Sequence, residues 1–142
     1  MNRLIFFIIF LISIGTSAQS QSVIGKWKTI DDETGRPISI VEVFEKNHKV
    51  YGKVLEILNP ANRNRVCEKC SGEDSNKPIL GLTVIKGLTK VGDEYTKGKI
   101  LDPKNGKLYS CYITLENQDK LKVRGYIGIS LFGRTQYWYR IK

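Results

Sequence analysis

The residues best suited to chemistry in this sequence are two cysteines, Cys67 and Cys70, with the spacing of a redox motif or of half a zinc site. A redox pair needs a helix N-terminus to lower the pKa of its first thiol, and no strand-to-helix pattern is present here. A zinc site takes about four ligands, and the chain adds only Cys111 and His48. We therefore expect a Cys67–Cys70 disulfide and no metal. A bond from either cysteine to Cys111, or a metal or redox site, is the alternative.

The remaining polar residues give no catalytic arrangement. His48 is the sole histidine, and it lies in the short polar connection 46–48 with no placed nucleophile. The acidic run at 31–33 is typical of a turn in which Asp side chains accept bonds from nearby amides, and calcium binding is the weaker interpretation. We expect no catalytic residues, no cofactor and no enzymatic activity.

The start of the chain has the pattern of a secretory signal peptide. Arg3 precedes an apolar run at 4–14, and small residues follow at 15–20. The run is too short to span a membrane, which takes about 20 apolar residues. The sequence predicts that residues 1–20 are removed and that residues 21–142 form one domain. The expected location is periplasmic or extracellular.

The charge is strongly positive, with 23 Lys and Arg against 14 Asp and Glu, a formal net charge of +9. Loss of Arg3 with the signal peptide leaves 22 against 14, which is +8. The cations are spread along every segment and accompany no nucleic-acid-binding motif. We expect a solvated surface with at most weak contact to an anionic envelope surface, no nucleic-acid partner, and a monomer.

Along the whole mature chain, short segments in which apolar and polar residues alternate are separated by turn residues. Between positions 107 and 116, for example, Tyr109, Cys111, Ile113 and Leu115 share one face. Half-buried strands of this kind belong to antiparallel sheets with one wet side. About eight strands are expected, interrupted only by a long polar loop at 59–78, and eight up-and-down strands can close into a barrel. The predicted fold is all-β, with a single antiparallel barrel and no long helix.

The last stretch, 122–142, holds two aromatic and β-branched runs that meet at a hairpin connection predicted at 130–133. Arg140 near its end and Trp27 on the first strand could close the barrel through a cation–π contact. Both faces of the final strand are mixed, so the pattern does not assign its inward side. The candidate ligand-binding residues are aromatic, with core or rim packing as the alternative: Tyr126, Tyr137, Trp138 and Tyr139.

Several motifs of the chain occur together in a known family. They are Gly25-x-Trp27, Asp31-Asp32-x-Thr34-Gly35, Gly52-Lys53-Val54, Pro78-x-x-Gly81-Leu82, Gly98-Lys99-Ile100-x-Asp102-Pro103-x-x-Gly106-Lys107-x-Tyr109, Val123-Arg124-Gly125-Tyr126 and Gly133-Arg134-Thr135-Gln136-x-Trp138. From position 25 to its end the chain resembles the exported bacterial proteins of domain-of-unknown-function family 2147. The resemblance implies a barrel of the calycin type, like lipocalins and fatty-acid-binding proteins, and no established activity.

Two functions compete at this point. The first is binding of a small apolar or amphipathic molecule in the barrel mouth, with the 59–78 loop as a lid. The second is a structural or interaction role in the cell envelope, with a barrel filled by side chains and a basic surface. Interior volume separates them, because ligand pockets usually start near ~300 Å³.

Overall fold

Alternation of apolar and polar residues produces eight antiparallel strands, and their inward side chains form the core. The structure is a computed structural model, and it describes Gly15 and residues 22–142; the predicted signal peptide otherwise lies outside the described residues. The strands are β1 (Gly25–Ile30), β2 (Pro37–Lys46), β3 (Lys49–Ile57), β4 (Thr83–Val91), β5 (Glu94–Asp102), β6 (Lys107–Asn117), β7 (Lys120–Tyr126) and β8 (Gly133–Arg140).

Each strand pairs with the next along the chain, and β8 returns to pair with β1, so that the barrel is closed. The closing ladder joins Trp27 to Arg140 and Lys28 to Tyr139. Closure pairs the two terminal strands with each other, and so reduces the free strand edge that could act as a template for aggregation. The predicted eight-stranded up-and-down antiparallel barrel is confirmed.

The connections divide the barrel into two ends. At the closed end, tight turns join β2 to β3, β4 to β5 and β6 to β7, and both the start of β1 and the end of β8 lie there. The first of these turns places Asn47 and His48 at φ of 52° and 63°, as a tight hairpin turn requires. At the open end lie the longer connections that follow β1, β3, β5 and β7.

Trp27 is the largest buried side chain of the closed end. Its indole is completely buried, and its Nε1 donates to the carbonyl of Val23 at 2.9 Å. The Arg140 guanidinium lies 4.3 Å from the ring centroid, which is cation–π geometry. Other aliphatic side chains of the core are also fully buried: Val43, Ile85, Leu88, Ile113 and Leu121.

Arg140 also ties together the segments that meet at this end. Its Nε donates to the carbonyl of Gln118 at 2.7 Å, Nη1 to Ile24 at 3.1 Å and Nη2 to Ser22 at 2.6 Å. A Cβ on Gly25 would lie 2.7 Å from Nη1. Any larger residue at position 25 would therefore crowd the guanidinium in this position. Arg140 thus closes the barrel by hydrogen bonds as well as by covering the indole.

Two element boundaries differ from the expectation. The segment 79–85, which was predicted as a strand or a short apolar turn, enters strand β4 only at Thr83. The predicted hairpin connection at 130–133 is instead a six-residue loop, Ile127 to Phe132, because β7 ends at Tyr126. The amide of Ile127 donates to the carbonyl of Phe132 at 3.0 Å and closes that loop.

The connection between β3 and β4 contains the predicted long loop, which we call the flap (residues 59–78). It has two 3₁₀ turns, Pro60–Asn62 and Gly72–Asp74, and one isolated bridge between Val66 and Pro78. Cys67 and Cys70 form a disulfide within it. Among the described residues, no helix has the length and apolarity that a membrane span requires.

The flap packs against the β5–β6 turn, and this contact requires a glycine. Gly106 adopts φ of +72°, and a Cβ there would lie 1.9 Å from the carbonyl oxygen of Lys69. The Lys86 ammonium also forms an ion pair with Asp74 of the flap. The flap is thereby held against the side of the open end.

Candidate functional site

The open half of the barrel contains a cavity of about 600 Å³. Its inner wall consists of aliphatic side chains from five strands and the indole of Trp138 on a sixth. The wall residues are Val41, Val54, Ile57, Val84, Ile100, Leu101, Val123 and Trp138.

A chain of hydrogen bonds leads from the wall to the rim. Trp138 Nε1 donates to the side-chain oxygen of Gln136 at 3.2 Å, and Gln136 Nε2 donates to Asp32 Oδ2 at 3.1 Å. Arg134 Nε lies 3.0 Å from the same carboxylate oxygen and its Nη2 lies 3.9 Å from Asp102. The polar atoms of Trp138 and Gln136 are thus paired inside a largely apolar wall, as buried polar groups require.

The rim also carries the ion pair of Asp31 and Lys104, whose Nζ and Oδ2 are 2.9 Å apart. Asp31 Oδ1 accepts from the backbone amides of Glu33 at 2.8 Å and Thr34 at 3.0 Å. The hydrogen bond from Lys104 and then these two amides lower the pKa of Asp31 from 3.8 to about 2. The same pair raises the pKa of Lys104. The carboxylate is therefore ionised and neutralised locally, and the predicted role of this acidic run as a turn former is confirmed.

Two further elements complete the mouth. On one side, Asn62 and Arg65 of the flap line the cavity next to Ile79. On the other, Ile127 and Phe132 of the β7–β8 loop line it while remaining largely exposed to solvent. The mouth thus has a charged arc, formed by Asp31, Asp32, Lys104 and Arg134, and an apolar arc, formed by Ile127 and Phe132.

The structure separates the four aromatic residues that were predicted to bind ligand. Tyr126 and Trp138 line the cavity. Tyr137 and Tyr139 do not, since they flank the buried Trp138 and their side chains lie exposed on the outer face. Successive residues of a strand point to opposite faces, so a strand that buries Trp138 cannot bury its neighbours. Tyr137 and Tyr139 therefore lie outside this cavity, where the prediction had placed them with Trp138.

The residues considered for chemistry lie apart from one another. His48 is exposed in the β2–β3 turn at the closed end. Cys111 is a free, buried thiol, and burial raises its pKa to about 12, so that it stays protonated at neutral pH. No group of three or more His, Cys, Asp or Glu residues suited to a metal ion occurs in the described part of the chain.

The sequence matches a family model described as an uncharacterized protein conserved in bacteria (DUF2147), over residues 25–140. The chain belongs to this family. Comparison with curated protein sequences gives no match. Among solved structures, this DUF2147 barrel is similar to protein HP1028 from Helicobacter pylori, which is described as belonging to the lipocalin family. The TM-score is 0.75 at 22% identity, with 85% of this chain and 84% of the other covered.

This likeness confirms the lipocalin-type fold that was expected from the motifs. The alternative expectation was a barrel filled by side chains, and the open half of this DUF2147 protein contains a cavity instead. The cavity also uses residues that were not among the predicted ligand-binding set, chiefly Asp32, Arg134 and Gln136. The β7–β8 register pairs Gln136 with Val123 and Trp138 with Leu121, so the apolar face of β7 identifies the inward residues of β8 once the loop length is known.

Proposed function

We propose that this DUF2147 protein is exported and binds a small apolar or amphipathic molecule in the open half of its barrel. The observation that carries the proposal is the 600 Å³ cavity, which lies within the range of about 300–1,000 Å³ that is usual for ligand sites. Its aliphatic wall would hold an apolar body, and the charged arc of the rim would face a polar end.

The distribution of polar groups supports binding rather than catalysis. In the wall, the Gln136 side chain accepts a hydrogen bond from the Trp138 N–H and donates one to Asp32. At the rim, Asp31 is paired with Lys104. His48 and Cys111, the residues considered as base and nucleophile, do not line the cavity. Such a site selects a ligand by shape and by the position of its polar end.

Two observations support export. The first 20 residues have the signal-peptide pattern, and the flap contains a disulfide, which persists mainly in oxidising compartments. Intact-mass analysis of protein recovered from its native host tests the proposal. We expect the mass of a chain that begins between Gln19 and Gln21. The mass of a chain that still begins at Met1 would contradict export.

The binding proposal is tested by filling the cavity from one strand. We would titrate 1-anilinonaphthalene-8-sulfonate, whose fluorescence rises in apolar sites, into the wild-type protein and into Val123→Trp. Val123 faces the cavity, so an indole there would occupy its volume. We expect the affinity for the dye to fall by about tenfold or more, equivalent to about 1.4 kcal/mol.

The matched control is Lys122→Trp, which places the same indole on the outer face of the same strand. This variant should keep the wild-type affinity. Circular dichroism would verify that both variants are folded. Equal dye binding by Val123→Trp and the wild type would mean that the dye sits elsewhere, and it would contradict the proposal.

A further inference from the structure

The β7–β8 loop carries the most exposed apolar side chains of the described chain. We call Ile127, Ile129, Leu131 and Phe132 the apolar tip; they are exposed by 66%, 56%, 79% and 70%. Large exposed apolar patches mark interaction sites more often than chance placement does. The tip borders the cavity directly, because Ile127 and Phe132 contribute to its mouth.

The tip is held in an ordered conformation. The guanidinium of Arg124 donates to the carbonyl of Ser130 at 2.8 Å, to that of Leu131 at 3.4 Å and to Thr135 Oγ1 at 2.7 Å. Within the loop, the amide of Phe132 also donates to the carbonyl of Ile129 at 3.1 Å. Because these backbone groups are already paired, the loop can enter an apolar surrounding with less desolvation cost.

A basic stripe runs from the tip along the outer face of β7, through Arg124, Lys122 and Lys120. In the register with β6 and β8, the residues opposite Lys122 and Arg124 are Thr114, Tyr137, Tyr112 and Thr135, so no acidic side chain opposes these two cations. The Lys120 ammonium lies 4.4 Å from the Tyr137 ring centroid, and Lys122 lies 5.7 Å from that of Tyr112. Lysine and tyrosine side chains beside an apolar tip are typical of the membrane interface, where charged heads meet lipid phosphates.

We propose that the apolar tip and the basic stripe dock the β7 side of the barrel, with the mouth at the membrane, on an anionic lipid bilayer, so that the cavity exchanges its ligand with the membrane. The exchange of ligand rests on the proposed binding function. The docking itself rests only on the apolar tip and the basic stripe. A second protein copy suits the tip less well, since four side chains of one loop fall far short of the roughly 800 Å² per partner that stable protein interfaces bury.

The test is cosedimentation with vesicles of equal parts phosphatidylglycerol and phosphatidylcholine. The variant Ile129→Ser/Leu131→Ser shortens the tip without touching the cavity wall, because neither residue lines it. We expect its vesicle affinity to fall by about tenfold or more, since each side chain loses part of its apolar burial. The control, Val91→Ser/Ile141→Ser, removes two exposed apolar side chains at the closed end and should bind vesicles as the wild type does.

The basic stripe is tested separately with Lys120→Gln/Lys122→Gln. This variant should bind the anionic vesicles more weakly at low salt, and the difference from the wild type should shrink at high salt as the charges are screened. Vesicles of phosphatidylcholine alone should bind the wild type more weakly than the anionic vesicles.

Dye binding to the cavity, measured in the same variants, separates the two proposals. The tip variant should keep the wild-type affinity for 1-anilinonaphthalene-8-sulfonate. Wild-type protein that binds the dye but not the vesicles would overturn docking and leave the cavity function standing. A tip variant that binds vesicles as well as the wild type would also overturn docking, and so would wild-type self-association that the tip substitutions abolish. Tip-dependent vesicle binding without dye binding would support docking and count against the cavity.

Discussion

The same eight strands build both ends of the barrel, yet the ends differ in what occupies the interior. At the closed end, Trp27 and large aliphatic side chains fill the space, and Arg140 joins three carbonyls over them. At the open end, aliphatic side chains such as Val54 and Val123 and the indole of Trp138 line a cavity of about 600 Å³. Stability is therefore expected to reside at one end and binding at the other.

The largest difference should appear when the two tryptophans are exchanged for alanine. Trp27→Ala empties a fully packed site and should cost about 3–5 kcal/mol of unfolding free energy. Trp138→Ala enlarges a cavity that already exists, so we expect about 1–3 kcal/mol. Denaturant unfolding of both variants measures the difference. Equal losses would show that the open end is packed as tightly as the closed end.

The second comparison uses one arginine from each end. Arg140→Ala removes three charge-assisted hydrogen bonds and the contact with Trp27, and should cost about 2–4 kcal/mol. Arg134→Ala removes an exposed ion pair with Asp32 and should cost under about 1 kcal/mol. Arg140→Lys keeps the charge but not the planar donor geometry, and we expect it to recover only part of the loss. Thermal unfolding checks the order, and an Arg140→Ala variant as stable as Arg134→Ala would contradict the assigned role.

The sequence predicts the closed end better than the open end, for a physical reason. A strand with one buried face is recognised by the alternation of apolar and polar residues along it. Strand β6 is an example, with Cys111 and Ile113 on its buried face. Trp27 and Arg140 were identified because a closing contact needs one residue from each terminal strand. The cavity depends instead on which side chains meet at one level of the barrel, and that follows from register rather than from any single segment.

The register of strand β8 could not be predicted from the sequence. Its faces are mixed, and the predicted hairpin at 130–133 was shorter than the actual six-residue loop. A one-residue change of register exchanges the two faces of a strand. Tyr137 and Tyr139 could therefore not be distinguished from Trp138, and Gln136 was not recognised as a wall residue.

The flap offers a smaller test, through its thiols. Unfolded, unreduced protein should show one thiol, Cys111, whereas the folded protein should show none because that thiol is buried. Cys67→Ser/Cys70→Ser should lower stability by about 2 kcal/mol, the value expected for so short a loop. Three thiols in the unreduced protein would contradict the disulfide.

The smallest effect concerns the ion pair at the rim. The pKa of Asp31 is about 2 in the folded protein against an ordinary value of 3.8, so its contribution to stability is present above pH 4 and is lost as the pH falls toward 2. In Lys104→Gln the pKa of Asp31 should rise toward the ordinary value but not reach it, because the amides of Glu33 and Thr34 remain. NMR titration of the Asp31 carboxyl measures this, and an unchanged pKa would show that Lys104 does not set it.

The central claim is that the open half holds a small molecule, and native mass spectrometry of protein purified from its own host tests it most directly. We predict a population with an added mass that is absent from Val123→Trp and retained in Lys122→Trp. Wild-type protein that carries no added mass, and that also fails to bind a panel of lipids and hydrophobic dyes, would contradict the claim.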